Sequence, residues 1–296
     1  MRCALLAAAL WAGAGCHSQK RPAAPLPAMP AAVAPGPADA GPPPESGQLA
    51  WEKRDSDPGA LDRAVSLFEA EARRAPDPAQ ALLGAARARR LRIARAEQDP
   101  EPEPSTMAAD AQACAADAHR SWAASFPEAA AARDSTALVG ASGAEALYLE
   151  AVCSAICARM QGFTPLIERR GELVAAFFRV AELDPDLDGA GAERELGALH
   201  AALPAYAGGD LEEARRYLLA AVERAPEDAR NHLVLARAVA VKAQDRSLFR
   251  EHLMVAAKSG DPLAAAQAQA LLQREKELFG PAEAAQPIPG GPQKRP

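Results

Sequence analysis

From about Leu49 to Phe279 the chain is built of segments with apolar positions at i, i+3, i+4 and i+7, the signature of a helix with one buried face. No alternating apolar/polar stretch competes with them, so the pattern predicts an all-α fold. Starts and stops punctuate the segments. Asp57-Pro58, Thr164-Pro165 and Asp261-Pro262 each place an N-cap residue before a proline suited to the first helical position. Ser142-x-x-Glu145 and Asp210-x-x-Glu213 have capping-box spacing.

The segments repeat. Windows 64–76 (AVSLFEAEARRAP), 173–185 (LVAAFFRVAELDP) and 214–226 (ARRYLLAAVERAP) align without gaps. Each carries a large apolar residue at its fifth place (Phe68, Phe177, Leu218) and a small one four later (Ala72, Ala181, Val222). Each closes on proline: Pro76, Pro185 and Pro226. This is the second helix of a tetratricopeptide-type hairpin, ended by a residue that cannot continue a helix. The register recurs 35 residues after GGDLEEARRYL, pairing Asp245 with Asp210 as a cap and Leu253 with Leu218, with Phe249 on the packing face. The expected architecture is therefore an array of helix hairpins forming a compact superhelix.

Composition agrees with helices: 49% of the 296 residues are apolar, only 4% are aromatic, and alanine dominates. A net charge of −6 gives no electrostatic footprint for nucleic acid. The basic residues alternate with glutamates and read as solvated helix faces. The ends differ from the middle. Arg2 and the short apolar run ALLAAALWA, followed by GAG and Cys16, resemble a lipoprotein signal peptide over 1–15, cleaved before a lipidated Cys16. Gly13 departs from the leucine usual in such motifs, and His17 after the cysteine favours the outer membrane. Residues 16–48 read as a lipidated cysteine and a Pro/Ala linker; nine prolines fall between 18 and 47. Residues 97–106 read as an internal loop and 280–296 as a disordered tail, leaving 49–279 as the helical domain.

The stretch from 140 to 279 resembles a known family. ELDPDLDGAGAERELGALHA, the loop GGDLEEAR and RAPEDARNHLVLARAVAVKAQDRSLF are similar to the T component associated with TRAP transporters, the TatT family. The resemblance implies a periplasmic, lipid-anchored tetratricopeptide-repeat protein in a bacterial envelope. It implies as partner a substrate-binding P component of an ATP-independent importer, and oligomerisation of the chain. It carries no catalytic residue and no cofactor. The repeats suit docking of a protein or an apolar small ligand. A scaffold or assembly factor of the envelope, without a transport role, is the competing reading.

Candidate chemistry is sparse. Asp184, Asp186, Asp188, Gly189 and Glu195 fit the calcium-loop spacing D-x-D-x-D-G-x5-E. Against it, Pro185 is the repeat's helix stop, and Gly191 stands where such loops carry an aliphatic residue. A turn between repeats is the preferred reading, and no metal is expected. Cys153 and Cys157 lie one turn apart on a single helix face, a poor geometry for bonding to each other. Together with Cys114 they read as buried small residues, with pairing of Cys114 to one of them as the alternative. The five histidines are scattered, and no nucleophile elbow, Walker loop or H-E-x-x-H occurs, so no enzyme is expected.

Overall fold

The computed structural model describes residues 45–98, 103–132 and 136–280, which form helices and turns with no strand among them. The leader, Cys16, most of the Pro/Ala linker and the tail beyond Gly280 lie outside the described residues. In chain order the helices are α1 (Gly47–Glu52), α2 (Ala60–Arg74), α3 (Ala79–Ala96), α4 (Pro104–Ser125) and α5 (Pro127–Ala131). Then come α6 (Ala144–Gln161), α7 (Phe163–Leu183), α8 (Gly191–Ala202), α9 (Leu211–Arg224) and α10 (Ala229–Val234). Helix α10 continues into a π-helical turn, Leu235–Ala240, before α11 (Arg246–Ala256), α12 (Pro262–Gln273) and α13 (Glu275–Phe279). The first helix begins inside the stretch read as linker, and α4 begins at Pro104, inside the stretch read as loop. Packing is mostly between sequence neighbours: α2 on α3, α3 on α4, α4 on α6, α6 on α7, α8 on α9 and α10 on α11.

The three repeat prolines end their helices in one way. Helices α2, α7 and α9 stop two residues before Pro76, Pro185 and Pro226. The intervening Ala75, Asp184 and Ala225 have ψ of 138°, 88° and 72°, outside the helical region. Proline's ring collides with the preceding residue in helical conformation, so the stop is local sterics. Each capping residue still donates its N–H to the carbonyl four residues back (Glu71, Val180, Ala221), which closes the last turn.

The starts are less faithful to the sequence. Asp210, Asp245 and Asp261 cap α9, α11 and α12 with their carboxylates. Asp210 accepts from the N–H groups of Glu212 and Glu213 at 2.9 and 3.1 Å. Its expected reciprocal partner, Glu213, pairs with Arg216 instead. Ser142 does not cap α6: it lies in a 3-10 turn, Gly143 precedes the helix, and Glu145 is taken by Arg87 from α3. Asp57 accepts from Gly59 N–H in a tight turn, and α2 begins only at Ala60. Thr164 and Pro165 sit within the first turn of α7, whose start is Phe163 after Gly162.

Phe68, Phe177 and Leu218 are 6%, 1% and 0% exposed, and each falls in a different cluster of the core. Ala181 and Val222 pack beside Phe177 and Leu218 as half-buried neighbours. Phe249 and Leu253 are fully buried in a fourth cluster. Helix α8 approaches α9 closely because Gly197 has no side chain. A Cβ there would stand 2.5 Å from Leu218 Cγ and 3.0 Å from the Ala214 carbonyl oxygen. Helix α6 is long and apolar enough to cross a membrane by composition, yet 67% of that window is buried within the protein. A helix apolar on all sides is what a central position requires; α4 and α7 cover its flanks.

Two sequence readings are corrected here. Cys114 on α4 and Cys153 on α6 form a disulfide, with Cα atoms 6.0 Å apart, so these are not simply buried thiols. Among the described residues Cys157 is the one cysteine outside this bond, and it is half-buried. The bond closes a 39-residue separation. Reduction, or Cys114→Ser, is expected to lower unfolding free energy by about 2–4 kcal/mol in urea titrations, while Cys157→Ser leaves it within about 0.5 kcal/mol. The second correction concerns the arginines of α3, which are not a solvated face. Arg89, with a side chain 7% exposed, pairs with Asp117 of α4 and Glu69 of α2. Arg92 pairs with Asp110 of α4 and reaches Asp62 of α2 at 3.0 Å. Burial raises the Asp117 carboxyl pKa in spite of the Arg89 charge.

Candidate functional site

The turn between α7 and α8, Asp184–Ala190, is densely hydrogen-bonded. Asp188, Gly189 and Ala190 all have positive φ (54°, 64° and 60°), which folds the chain sharply and directs the Asp188 side chain inward. Asp188 Oδ2 accepts from the Tyr148 hydroxyl of α6 at 2.7 Å and from Arg194 Nη2 of α8 at 2.5 Å. Its Oδ1 accepts from Arg230 Nη1 of α10 at 2.6 Å. Its backbone carbonyl accepts from both guanidiniums, at 3.0 and 2.9 Å. Arg230 also holds Asp228, at 2.5 and 2.9 Å.

Asn231, the only asparagine in the chain, completes this knot. It is fully buried. Its Oδ1 accepts from Arg194, and its Nδ2 donates to the carbonyls of Gly189, Ala221 and Ala225. One connected set of polar groups thus joins α6, the α7–α8 turn, α8, the end of α9 and α10. Burial alone would raise the Asp188 carboxyl, but the Arg194 and Arg230 charges and the tyrosine hydrogen bond outweigh it and hold its pKa below the ordinary value. Burial drives the Tyr148 hydroxyl far upward, so it stays a donor.

The four carboxylates of the calcium-loop spacing are therefore turned to different partners. Asp188 is engaged by two arginines and a tyrosine. Asp184 accepts from Asp186 N–H at 3.3 Å, and Asp186 lies 3.7 Å from Arg224. Glu195 lies 4.0 Å from Arg194 and faces a cavity. Among the described residues no group of three or more His, Cys, Asp or Glu side chains is placed to hold a metal ion. Gly189 could not be replaced without disturbing the knot, since a Cβ there would meet Asp228 Oδ2 at 2.1 Å.

Beside this knot lies a chamber. Its wide part, about 580 Å³, is bounded by Trp51 of α1, Leu91 of α3, Leu149 of α6, Leu187 and Leu263, with Arg87, Arg90 and Arg230 among them. A narrow part of about 140 Å³ shares Arg90, Ala94, Arg230, Asp261 and Leu263 and continues to α8 and the π-helical turn. The lining comes mainly from α3, α6, α8, α10 and α12. Neither part includes a histidine, cysteine or serine among its lining residues; its charged lining consists of arginines together with Glu97, Glu145, Asp188, Glu195 and Asp261, beside apolar surface. Tyr148, Arg194 and Arg230 carry no local mark of being partners; a lone asparagine, Asn231, is the signal that could have pointed to them.

A second buried polar contact lies between α10 and α11. His232 Nε2 meets the Pro226 carbonyl at 2.9 Å, an oxygen that can only accept. In the neutral ring His232 Nδ1 is then bare and accepts from His252 Nδ1, 2.8 Å away. Burial first, and His232 second, lower the pKa of His252, with Glu251 opposing. A histidine whose folded pKa is depressed contributes stability above its unfolded value, near 6.5, and loses it as pH falls through the folded one. The melting temperature is accordingly expected to fall on acidification below about pH 6.5, and His252→Gln to flatten that slope, as read by scanning calorimetry.

A comparison with protein families matches residues 105–279 to the TRAP transporter T-component family. No curated protein matches the chain. The matched segment runs from α4 to the end of α13 and includes the α7–α8 turn, the polar knot, the histidine pair and most of the chamber wall. It covers more than half of the chain, and its description is that of a transport-system component. The chain belongs to the TRAP transporter T-component family.

Proposed function

We propose that this protein is a lipid-anchored T component on the periplasmic side of the envelope, which docks the solute-binding protein of a tripartite importer. The observation that carries this reading is the family match over 105–279, coinciding with an all-helical body that carries a cavity lined mainly by α3, α6, α8, α10 and α12. On this reading residues 1–15 are a signal peptide, Cys16 carries the lipid, 16–48 hold the body off the membrane, and 49–279 form a tetratricopeptide-type superhelix that works without a cofactor or chemical step. The common Phe/Leu–small–Pro construction of α2, α7 and α9 supports the superhelix. The chamber supplies a place for a small ligand with an apolar body, handed on or received by the docked protein.

A pull-down with the full chain from an envelope extract of its own organism tests the docking. Recovery of a periplasmic solute-binding protein is the expected result. Recovery of envelope assembly proteins without it favours the scaffold reading. Incorporation of labelled palmitate, lost in Cys16→Ser, tests the anchor, and the mass of the purified chain by light scattering reads the expected oligomer.

A further inference from the structure

We infer that the chamber's ligand carries an oxyanion head, seated in the narrow part among Arg90, Arg159 and Arg237, with its apolar body in the wide part. The inference rests on the reading of the chamber as a ligand site and adds the chemistry of that ligand. Two shielded donor atoms on half-buried side chains carry it. Arg90 Nη1 and Gln98 Nε2 both line or border the narrow cavity, are shielded from solvent, and have no hydrogen-bond partner among the described residues. Shielded donors are normally paired, and a guanidinium is cationic, so the half-buried Arg90 with one shielded, unpaired nitrogen favours a negative acceptor.

The surrounding charges point the same way. Five arginines line the narrow cavity against three carboxylates, in a chain whose net charge is −6. Asp261 is already used to cap α12, accepting at 2.9 and 3.1 Å. Arg194 and Arg230 are committed to Asp188. Arg159 and Arg237, which are exposed at the rim, and the half-buried Arg90 form no ion pair among the described residues, and Glu97 and Glu195 share the lining with them. Planar guanidiniums grip carboxylate or phosphate through paired hydrogen bonds. At 140 Å³ the narrow part has room for a head group, and the 580 Å³ part beyond it, walled by Trp51, Leu91, Leu149, Leu187 and Leu263, has room for a short apolar chain.

Isothermal titration of the full chain with octanoate, octyl phosphate, inorganic phosphate and neutral octyl glucoside tests this. An octyl anion is expected to bind roughly tenfold or more tightly than octyl glucoside, and the better of the two anions identifies the head. Arg90→Gln is expected to weaken that binding roughly tenfold without lowering the melting temperature, because Arg90 is half-buried and makes no ion pair among the described residues. Should Arg90→Gln fail to fold, Arg237→Gln reads the same loss. Equal binding of octyl glucoside, unchanged affinity in the variant, or inorganic phosphate binding as tightly as octyl phosphate overturns the proposal. No binding by any probe overturns the ligand chamber as well. The pull-down of the solute-binding protein is untouched by any of these results.

Discussion

Asp188→Ala is expected to lower the unfolding free energy by about 3–5 kcal/mol, read from urea or thermal unfolding. The cost comes from what the substitution leaves behind. Arg194 has a side chain 4% exposed and would keep its charge with the nearest remaining carboxylates 3.8 and 4.0 Å away. Arg230 would keep only Asp228, and the Tyr148 hydroxyl would lose its acceptor. Asp188→Asn preserves shape and isolates the charge; it is expected to cost most of the same amount. Arg194→Met added to Asp188→Ala is expected to recover part of the loss, since removing both ions removes the uncompensated one. A loss under about 1 kcal/mol in Asp188→Ala would mean that the knot is not a structural joint. The pH dependence has a definite sign. The folded pKa of Asp188 lies below the ordinary aspartate value, so its contribution is complete above that value and disappears as pH falls through the folded one. Acid unfolding of Asp188→Asn is expected to be shallower than that of the parent.

Phe177→Ala is expected to cost about 3–5 kcal/mol, through lost burial and the cavity left in the largest core cluster. Its neighbour provides the control. Phe178 is 45% exposed, and Phe178→Ala is expected to cost about 1 kcal/mol or less. Equal losses at the two positions would contradict the repeat register, because that register assigns the fifth place of the window to the interior and the sixth to the outer face.

Much of this was legible in the residues because the causes are local. Helices follow from alanine-rich segments of helical period, and their ends follow from Pro76, Pro185 and Pro226 acting on the residue before them. Asp210, Asp245 and Asp261 cap because an aspartate side chain reaches N–H groups two or three residues on. Ser142 shows the limit: its spacing to Glu145 was correct, but a guanidinium from α3 competed for the glutamate. The buried places of Phe68, Phe177, Leu218 and Phe249 follow from period alone.

What the tertiary structure decided is which distant groups meet. Cys114 and Cys153 are 39 residues apart and pair because α4 and α6 pack face to face. Arg89 and Arg92 looked like surface charges until α2 and α4 enclosed them. The DPDLDG stretch carried a cation-loop spacing, yet the side chains that engage Asp188 come from positions 148, 194 and 230. The chamber is likewise assembled from helices far apart in sequence. Local sterics and short-range hydrogen bonds are written in neighbouring residues, and so the helices and their stops could be read from the sequence. The partners of a buried charge depend on how helices are brought together, which no window of sequence contains.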